Sequence, residues 1–215
     1  MIEGVIFDLD GVILDSEELW DEVREDLARE RGGRWHERAQ ADMMGMSSLE
    51  WSVYMHEQIG VPEPPEEISR EVVGRMLERY RRELPVIPGA VEAVERLAAR
   101  WPLALASSSN RELIEAALEA SGLARHFRVT VSSEEVARGK PAPDVYLEAA
   151  RRLEVAPEHC AAIEDSHNGI RSAKAAGMRV IAIPNRRFPP GEDALAEADV
   201  VLDSIAELTP EVVAG

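Results

Sequence analysis

From residue 85 to its end, the sequence alternates short apolar runs with segments whose apolar residues recur at helical spacing. Such alternation is typical of a parallel β-sheet with helices on both faces, because strands buried on both faces read as continuous apolar runs. A similar run opens the chain. We therefore predict an α/β fold built on a doubly wound parallel sheet. Its strands are expected at residues 4–9, 103–106, 129–131, 160–163, 179–183 and 200–202.

Residues 16–84 differ from the rest of the chain because they carry helical patterns and no strand pattern. A glycine pair at 32–33, the single Gly45 and a proline-rich loop at 60–65 separate the helical segments. The sequence therefore predicts two domains. A core domain comprises residues 1–15 and 85–215, and a small helical domain, residues 16–84, is inserted after the first strand.

The chain is strongly acidic, with a formal net charge of −17 and a pI of about 4.7. Nucleic acids and anionic membrane surfaces require a basic face, so neither is expected as a partner. No apolar run is long enough to span a membrane and no signal peptide is recognisable, which predicts a cytoplasmic protein. We expect a monomer. The lone Cys160 falls in a predicted strand and is expected to be a small core residue.

Two carboxylates, Asp8 and Asp10, follow the opening apolar run, and Gly11 comes next. Residues two apart in an extended segment point to the same side, so both carboxylates can face one small volume. Carboxylates this close repel each other unless a divalent cation or a shared proton intervenes. Two solvated aspartates at a strand end are the alternative for this stretch taken alone.

Polar residues also follow the next strands of the predicted sheet. In parallel sheets the carboxyl ends of the strands meet in one crevice, where ligands bind. The side chains expected there are Ser107, Ser108 and Asn110 after the second strand, Lys140 after the third, and Glu164 and Asp165 after the fourth. Carboxylate oxygens suit Mg²⁺, and hydroxyl and amide donors at a helix start suit a phosphate.

These groups could together transfer a phosphoryl group. An aspartate can attack phosphorus and form an aspartyl-phosphate, and a second carboxylate two residues on can protonate the leaving oxygen. Lys140 is one of only two lysines in the chain, which suggests that a compact positive charge is needed at this position.

Four motifs carry a resemblance to a known family: Asp8-Leu9-Asp10-Gly11-Val12, Ser107, Gly139-Lys140-Pro141-Ala142-Pro143-Asp144, and Glu164-Asp165-Ser166-His167-Asn168-Gly169. In this order they resemble the haloacid dehalogenase-like superfamily, in its phosphatase and β-phosphoglucomutase-like branch. The resemblance implies that the insert is a cap domain, that Asp8 is the nucleophile and that Asp10 is the general acid and base. It implies that Ser107 and Lys140 hold the phosphoryl group. Asp8, the backbone carbonyl of Asp10, and Asp165 would bind Mg²⁺, with Glu164 a ligand directly or through water.

The substrate implied by this resemblance is a small phosphorylated metabolite, of the sugar or polyol phosphate class. Most large apolar residues of the cap should form its own core. Trp20 and Met46 are the two that we expect to face the crevice and contact the substrate.

A β-phosphoglucomutase-type mutase is the alternative reading. The mutase has His where this chain has Trp20 and Arg where it has Ser48, and an ungapped placement puts its second cap cation at Met76. The absence of these groups favours hydrolysis. Arginines elsewhere in the cap could substitute if it packs differently: Arg24, Arg75 and Arg79.

Three further readings are less favoured. A dehalogenase would not need Asp10 or the pair Glu164 and Asp165, and a phosphonate-cleaving enzyme would need a cap lysine, which residues 16–84 lack. A non-catalytic phosphometabolite-binding or interaction protein would not need the four groups assigned to catalysis, which are all present: Asp8, Asp10, Ser107 and Lys140.

Overall fold

The computed structural model describes all residues from 1 to 215. Six parallel strands form one sheet in the spatial order β3-β2-β1-β4-β5-β6. The predicted α/β fold with a doubly wound parallel sheet is thereby confirmed. The strands are β1 Gly4–Phe7, β2 Leu103–Ser107, β3 Phe127–Ser132, β4 Cys160–Glu164, β5 Arg179–Ala182 and β6 Val200–Val201.

Two strands end at residues other than the predicted ones, because turns and strand pairing set where they stop. The sequence predicts the first strand to residue 9, but β1 ends at Phe7 because the Leu9 carbonyl accepts the Ile13 and Leu14 N–H groups in a tight turn. β3 is longer than predicted, because it continues to Ser132, which pairs with Ser107 at the end of β2.

Ten α-helices accompany the sheet. Five lie between β1 and β2, and the other five each follow one of the remaining strands. Their bounds are α1 Glu17–Glu30, α2 Ala39–Met43, α3 Ser48–Tyr54, α4 Pro65–Arg82, α5 Ala90–Ala98, α6 Arg111–Ala120, α7 Asp144–Leu153, α8 His167–Ala175, α9 Glu192–Leu195 and α10 Pro210–Ala214.

The sheet is buried on both faces because alternate residues of its strands enter two different hydrophobic clusters. Val5 and Phe7 of β1 belong to a cluster that includes α5 and α6, whereas Ile6 belongs to a second cluster with α7 and α8. Cys160 is fully buried in the second cluster. This two-sided burial explains why the strands read as apolar runs.

The helices α1 to α4 pack on one another, and α4 also packs on α6. Apolar residues of this region are buried and belong to the larger hydrophobic cluster, Trp51, Met55, Ile59, Val73 and Met76 among them. The division into a core and a cap domain at residues 16 and 84 stays a prediction. None of the helices is both long and apolar enough to cross a membrane.

Candidate active site

The turn after β1 places Asp8 and Asp10 at the carboxyl edge of the sheet. The Asp8 N–H still donates to Ile163 of β4 at 3.0 Å, so the nucleophile candidate sits directly beside the neighbouring strand. Gly11 follows with a left-handed backbone, φ 78°. A Cβ at this position would overlap the carboxylate of Asp165, so only glycine allows the turn and the close approach together.

Lys140 connects two of the predicted site carboxylates. Its Nζ lies 3.1 Å from Asp8 Oδ1 and 2.6 Å from Glu164 Oε1, and the side chain is almost fully buried. Burial alone would lower the pKa of Lys140, but the charges of Asp8 and Glu164 outweigh it and raise that pKa above its usual range. Lys140 is therefore a fixed ammonium beside the candidate nucleophile.

Glu164 is surrounded by protein donors. Its Oε1 accepts from Lys140 and from the Tyr146 hydroxyl at 2.7 Å, and its Oε2 accepts from the N–H groups of Asp165 and Ser166 and from the Ser166 hydroxyl. A Cβ at Gly169 would overlap this carboxylate. Glu164, Asp8 and Asp165 each offer an oxygen within 4.8 Å of the others. Because its oxygens are already engaged, the geometry favours the alternative in which Glu164 reaches a cation through water.

Asp165, unlike Glu164, has no protein donors around its carboxylate. Its side chain is 1% exposed and neither carboxylate oxygen has a hydrogen-bond partner. Burial, followed by the charge of Glu164, raises the pKa of Asp165 well above its usual range. A buried carboxylate without donors is costly unless a cation neutralises it. Asp165 and Asp8 therefore fit a hard cation that takes oxygen ligands.

Asp10 is held by three donors, two at the start of α1 and one after β2. Oδ1 accepts from the Ser16 hydroxyl at 2.5 Å and from the Trp20 indole N–H at 3.1 Å, and Oδ2 accepts from the Ser109 hydroxyl at 2.6 Å. Sequence reasoning missed Ser16 and Ser109 as partners of Asp10. The signal for Ser109 was the serine run after β2, but three consecutive serines do not reveal which of them faces Asp10.

The other residues predicted after β2 occupy different positions. Ser107 is fully buried and its hydroxyl accepts the Ser109 N–H at 3.0 Å, whereas Ser108 lines the pocket beside Asp8. The Asn110 amide nitrogen instead donates to Glu134 at 2.8 Å. The structure therefore brings Ser108 to the pocket that contains the carboxylates, leaves Ser107 buried outside the lining of that pocket, and directs the amide nitrogen of Asn110 elsewhere.

Residues of the predicted cap form the opposite wall of the pocket. Trp20 and Met46, which the sequence predicts to face the crevice, both line it. Glu17 and Arg24 line it as well. Sequence reasoning gave Glu17 no role in the site and named Arg24 only as a possible substitute for a mutase cation. Glu17, Trp20 and Arg24 are spaced by three and four residues on α1, so they share one helix face, and that spacing was the available signal. By contrast, Ser48 lies outside this pocket and Met76 lies in the apolar core.

Two core side chains hold the cap segment that follows α2. The Asn168 amide nitrogen donates to the Met44 carbonyl at 2.9 Å, and the Ser108 hydroxyl donates to the Gly45 carbonyl at 2.8 Å. A Cβ at Gly45 would lie 3.0 Å from Asn168 Cβ, closer than ordinary contact. These contacts hold the segment at Met44 and Gly45 against the carboxyl edge of the sheet.

Gln40 joins the two charged cap residues. Its amide nitrogen donates to Glu17 Oε2 at 2.9 Å, and its amide oxygen accepts from Arg24 Nη1 at 3.1 Å. Burial, followed by the charge of Asp10, raises the pKa of Glu17 to about 7. Burial also lowers the pKa of Arg24 to about 10, which leaves the guanidinium charged at neutral pH.

We expect Glu17→Gln to change how stability depends on pH. The folded protein holds the Glu17 proton up to about pH 7, whereas the unfolded chain loses it near 4.5. The wild type therefore loses stability, relative to the variant, as pH rises between these values, by up to about 3 kcal/mol. Urea unfolding in EDTA at pH 5 and pH 8 measures this difference. Asp26→Asn, at an exposed position on the same helix, should leave the pH dependence of stability unchanged. If Glu17 is ionised in the folded protein at both pH values, Glu17→Gln will also leave it unchanged, which would contradict the prediction.

Comparisons with known proteins identify the relatives of this chain. A family model described as haloacid dehalogenase-like hydrolase matches residues 2–177. Hexitol phosphatase B of Escherichia coli is 33% identical over 217 residues, covering 100% of this chain and 97% of that protein. The bifunctional riboflavin kinase/FMN phosphatase of Arabidopsis thaliana is 32% identical over 209 residues, 96% of this chain, and the match spans only 54% of that longer protein.

A solved structure extends the similarity to three dimensions. The structure of CbbY from Rhodobacter sphaeroides, determined in complex with phosphate, superposes with a TM-score of 0.87 at 31% identity, and the match covers 100% of both chains. The fold and the whole chain length are therefore shared with that protein.

Proposed function

Because the chain belongs to the haloacid dehalogenase-like hydrolases and is a phosphoric monoester hydrolase, we propose that it is a Mg²⁺-dependent phosphatase of sugar or polyol phosphates that works through an aspartyl-phosphate. The observation that carries the proposal is the arrangement around Asp8. A buried ammonium, Lys140, lies 3.1 Å from its carboxylate, while the neighbouring Asp165 is buried without any donor.

The chemical steps follow from the positions of Asp8 and Asp10. The Asp8 carboxylate attacks phosphorus, the bond from phosphorus to the substrate's alcohol oxygen breaks, and Asp10 gives that oxygen a proton. Water then attacks the phosphorus of the aspartyl-phosphate, and Asp10 takes the proton from this water. Inorganic phosphate leaves and the Asp8 carboxylate is restored.

The surrounding residues support these steps. Lys140 stabilises negative charge on the phosphoryl oxygens, and Glu164 holds Lys140 in place through the 2.6 Å contact. Ser16, Trp20 and Ser109 fix the carboxylate of Asp10. Asp8 and Asp165 would hold Mg²⁺, which when bound would neutralise charge on the phosphoryl group.

The first test is the release of inorganic phosphate from p-nitrophenyl phosphate and from a panel of sugar and polyol monophosphates, each with Mg²⁺ and with EDTA. We expect release that depends on Mg²⁺ and that is faster for the sugar and polyol phosphates. An absence of phosphate release from every compound would contradict the proposed function.

The mutase is kept as a second candidate because Arg24 brings a cation into the pocket from the cap. A mutase must hold the distal phosphate of a bisphosphate, and a buried phosphate needs a cation. The positions at which the mutase carries such groups, Trp20, Ser48 and Met76, are uncharged here, which favours hydrolysis.

We expect inorganic phosphate, and not an isomerised sugar phosphate, as the main product. The measurement is an incubation with β-glucose 1-phosphate, Mg²⁺ and a trace of β-glucose 1,6-bisphosphate, with glucose 6-phosphate and free phosphate followed together. Glucose 6-phosphate that forms much faster than free phosphate would reverse the choice between the two candidates.

A further inference from the structure

Arg24 is a buried cation that the proposed chemistry does not use. It lies on α1 at the cap wall of the pocket and is 5% exposed. Its guanidinium carbon lies 4.4 Å from the ring centroid of Trp20 and 4.7 Å from that of Trp51. Its single hydrogen bond runs to Gln40, and its Nε has no partner.

This environment leaves the charge of Arg24 only partly compensated. Two indole faces stabilise a cation by about 0.5 to 2 kcal/mol each, less than the cost of removing an ion from water. Glu17 is the acid whose charge acts most strongly on Arg24, but the two form no ion pair. Gln40 occupies the position between them, donating to Glu17 and accepting from Arg24.

Two nitrogens of the Arg24 guanidinium, Nε and Nη2, have no hydrogen-bond partner in the protein. Nη1 is bound to Gln40, whereas Nε has no partner and Nη2 forms no hydrogen bond. Nε and Nη2 form the planar fork with which arginine binds a carboxylate or phosphate through two parallel hydrogen bonds. The two indole centroids lie only 6.0 Å apart, so the rings pack beside each other and do not enclose the guanidinium from both faces. A ligand acceptor would therefore satisfy the Nε and Nη2 hydrogens that the protein leaves without partners.

We propose that Arg24 binds an acidic group, a carboxylate or a second phosphate, at the end of the substrate that lies away from the phosphoryl group attacked by Asp8. The proposal rests on the phosphatase function proposed above. The pocket that Arg24 lines is also lined by Asp8, Asp10 and Asp165, so Arg24 and the carboxylates face the same cavity. A charged acceptor suits this site better than a hydroxyl group, because hydrogen bonds between ionised partners are about twice as strong as neutral ones.

The test compares substrates that share one carbon chain and differ in a single terminal group. Sorbitol 6-phosphate ends in a hydroxymethyl group and 6-phosphogluconate in a carboxylate. Fructose 6-phosphate and fructose 1,6-bisphosphate make the same comparison for a second phosphate. We expect the wild type to show a kcat/KM at least about 10-fold higher for the acidic member of one pair. Which pair responds decides between carboxylate and phosphate.

Variants of Arg24 test whether the arginine causes the preference. We expect Arg24→Gln to lower the ratio of acidic to neutral kcat/KM by about 10²-fold, because the variant loses a charged and bidentate partner. Arg24→Lys keeps the charge but loses the fork, so the ratio should fall by about 10-fold. Arg79→Gln, an exposed cap arginine paired with Glu22, should leave the ratio unchanged.

A binding measurement keeps the inference separable from the phosphatase proposal. Trp20 and Trp51 are two of the four tryptophans and flank Arg24, so ligand binding should change the emission of Asp8→Asn protein titrated with 6-phosphogluconate or fructose 1,6-bisphosphate. Weaker binding in the Asp8→Asn, Arg24→Gln double variant supports the anion site even if no compound releases phosphate. Phosphate release without preference for either acidic substrate, or a preference that Arg24→Gln leaves intact in a folded protein, overturns the inference and leaves the phosphatase proposal standing.

Discussion

Replacing Asp8 with asparagine should lower kcat by about 10⁴-fold or more, the scale of loss when a covalent catalyst loses its nucleophile. A carboxamide has nearly the shape of a carboxylate but does not attack phosphorus. Its oxygen keeps a polar neighbour in Lys140, whose Nζ lies 3.1 Å from Asp8 Oδ1. The fold should therefore survive, and kcat for p-nitrophenyl phosphate together with the thermal melting temperature measures both expectations.

The matched control is Asp15→Asn, the same exchange at an exposed position seven residues further along the chain. Its kcat should stay close to that of the wild type. An acid-quenched reaction of the wild type should yield phosphate bound to the peptide that contains Asp8. Near-normal turnover by the Asp8→Asn protein would reject the aspartyl-phosphate, as would labelled phosphate found only on another residue.

The sequence predicts the sheet well because its strands are buried on both faces. Gly4–Phe7 and residues 160–163 are fully buried, so each reads as an uninterrupted apolar or small-residue run. The ends of strands depend on hydrogen bonds that periodicity does not report. The turn at Leu9 ends β1, and the pairing of Ser107 with Ser132 extends both partner strands.

The location of the site is predictable for a topological reason. Parallel strands present their carboxyl ends at one edge, so Asp8, Lys140 and Glu164 meet although more than 130 residues separate the first from the other two. The roles within the site are less predictable. Ser107, Ser108 and Ser109 look alike in sequence, yet one is buried, one reaches the cap and one reaches Asp10. Rotamers and turn geometry decide between them.

The cap was the hardest part to predict because the packing of its helices determines which face meets the pocket. An ungapped comparison directs attention to Met76, but that residue is fully buried in the apolar core. Arg24 on α1 faces the pocket instead, because Trp20 and Trp51 pack against its guanidinium. Local spacing identifies the face of a helix, but only the tertiary packing shows what that face contacts.

Substituting Asp165 with asparagine should have opposite effects on stability with and without the metal. In EDTA at pH 8 the wild type carries a buried carboxylate without a donor, whose pKa burial raises well above its usual range. A raised pKa in the folded state means that ionisation at high pH destabilises the fold. The asparagine variant avoids this cost, so it should melt at a higher temperature than the wild type under these conditions.

Addition of Mg²⁺ should reverse the order. At 100 times its dissociation constant, a ligand that binds only the folded state stabilises it by about 2.7 kcal/mol. The wild type should gain this stabilisation, whereas Asp165→Asn, which lacks one of two anionic ligands, should bind Mg²⁺ about 10²-fold or more weakly and gain little. Calorimetric titration without substrate measures the affinity directly, and activity should be lost in EDTA and return with Mg²⁺.

The matched control is Asp203→Asn, the same exchange at an exposed position. Its melting temperature should equal that of the wild type both in EDTA and in Mg²⁺. The comparison in EDTA and the comparison in Mg²⁺ test different properties of Asp165. A higher melting temperature of Asp165→Asn in EDTA reports the buried charge, and its failure to respond to Mg²⁺ reports the loss of a metal ligand. If Mg²⁺ stabilised both proteins equally, the cation would bind away from Asp165, and the unpartnered carboxylate would need another explanation.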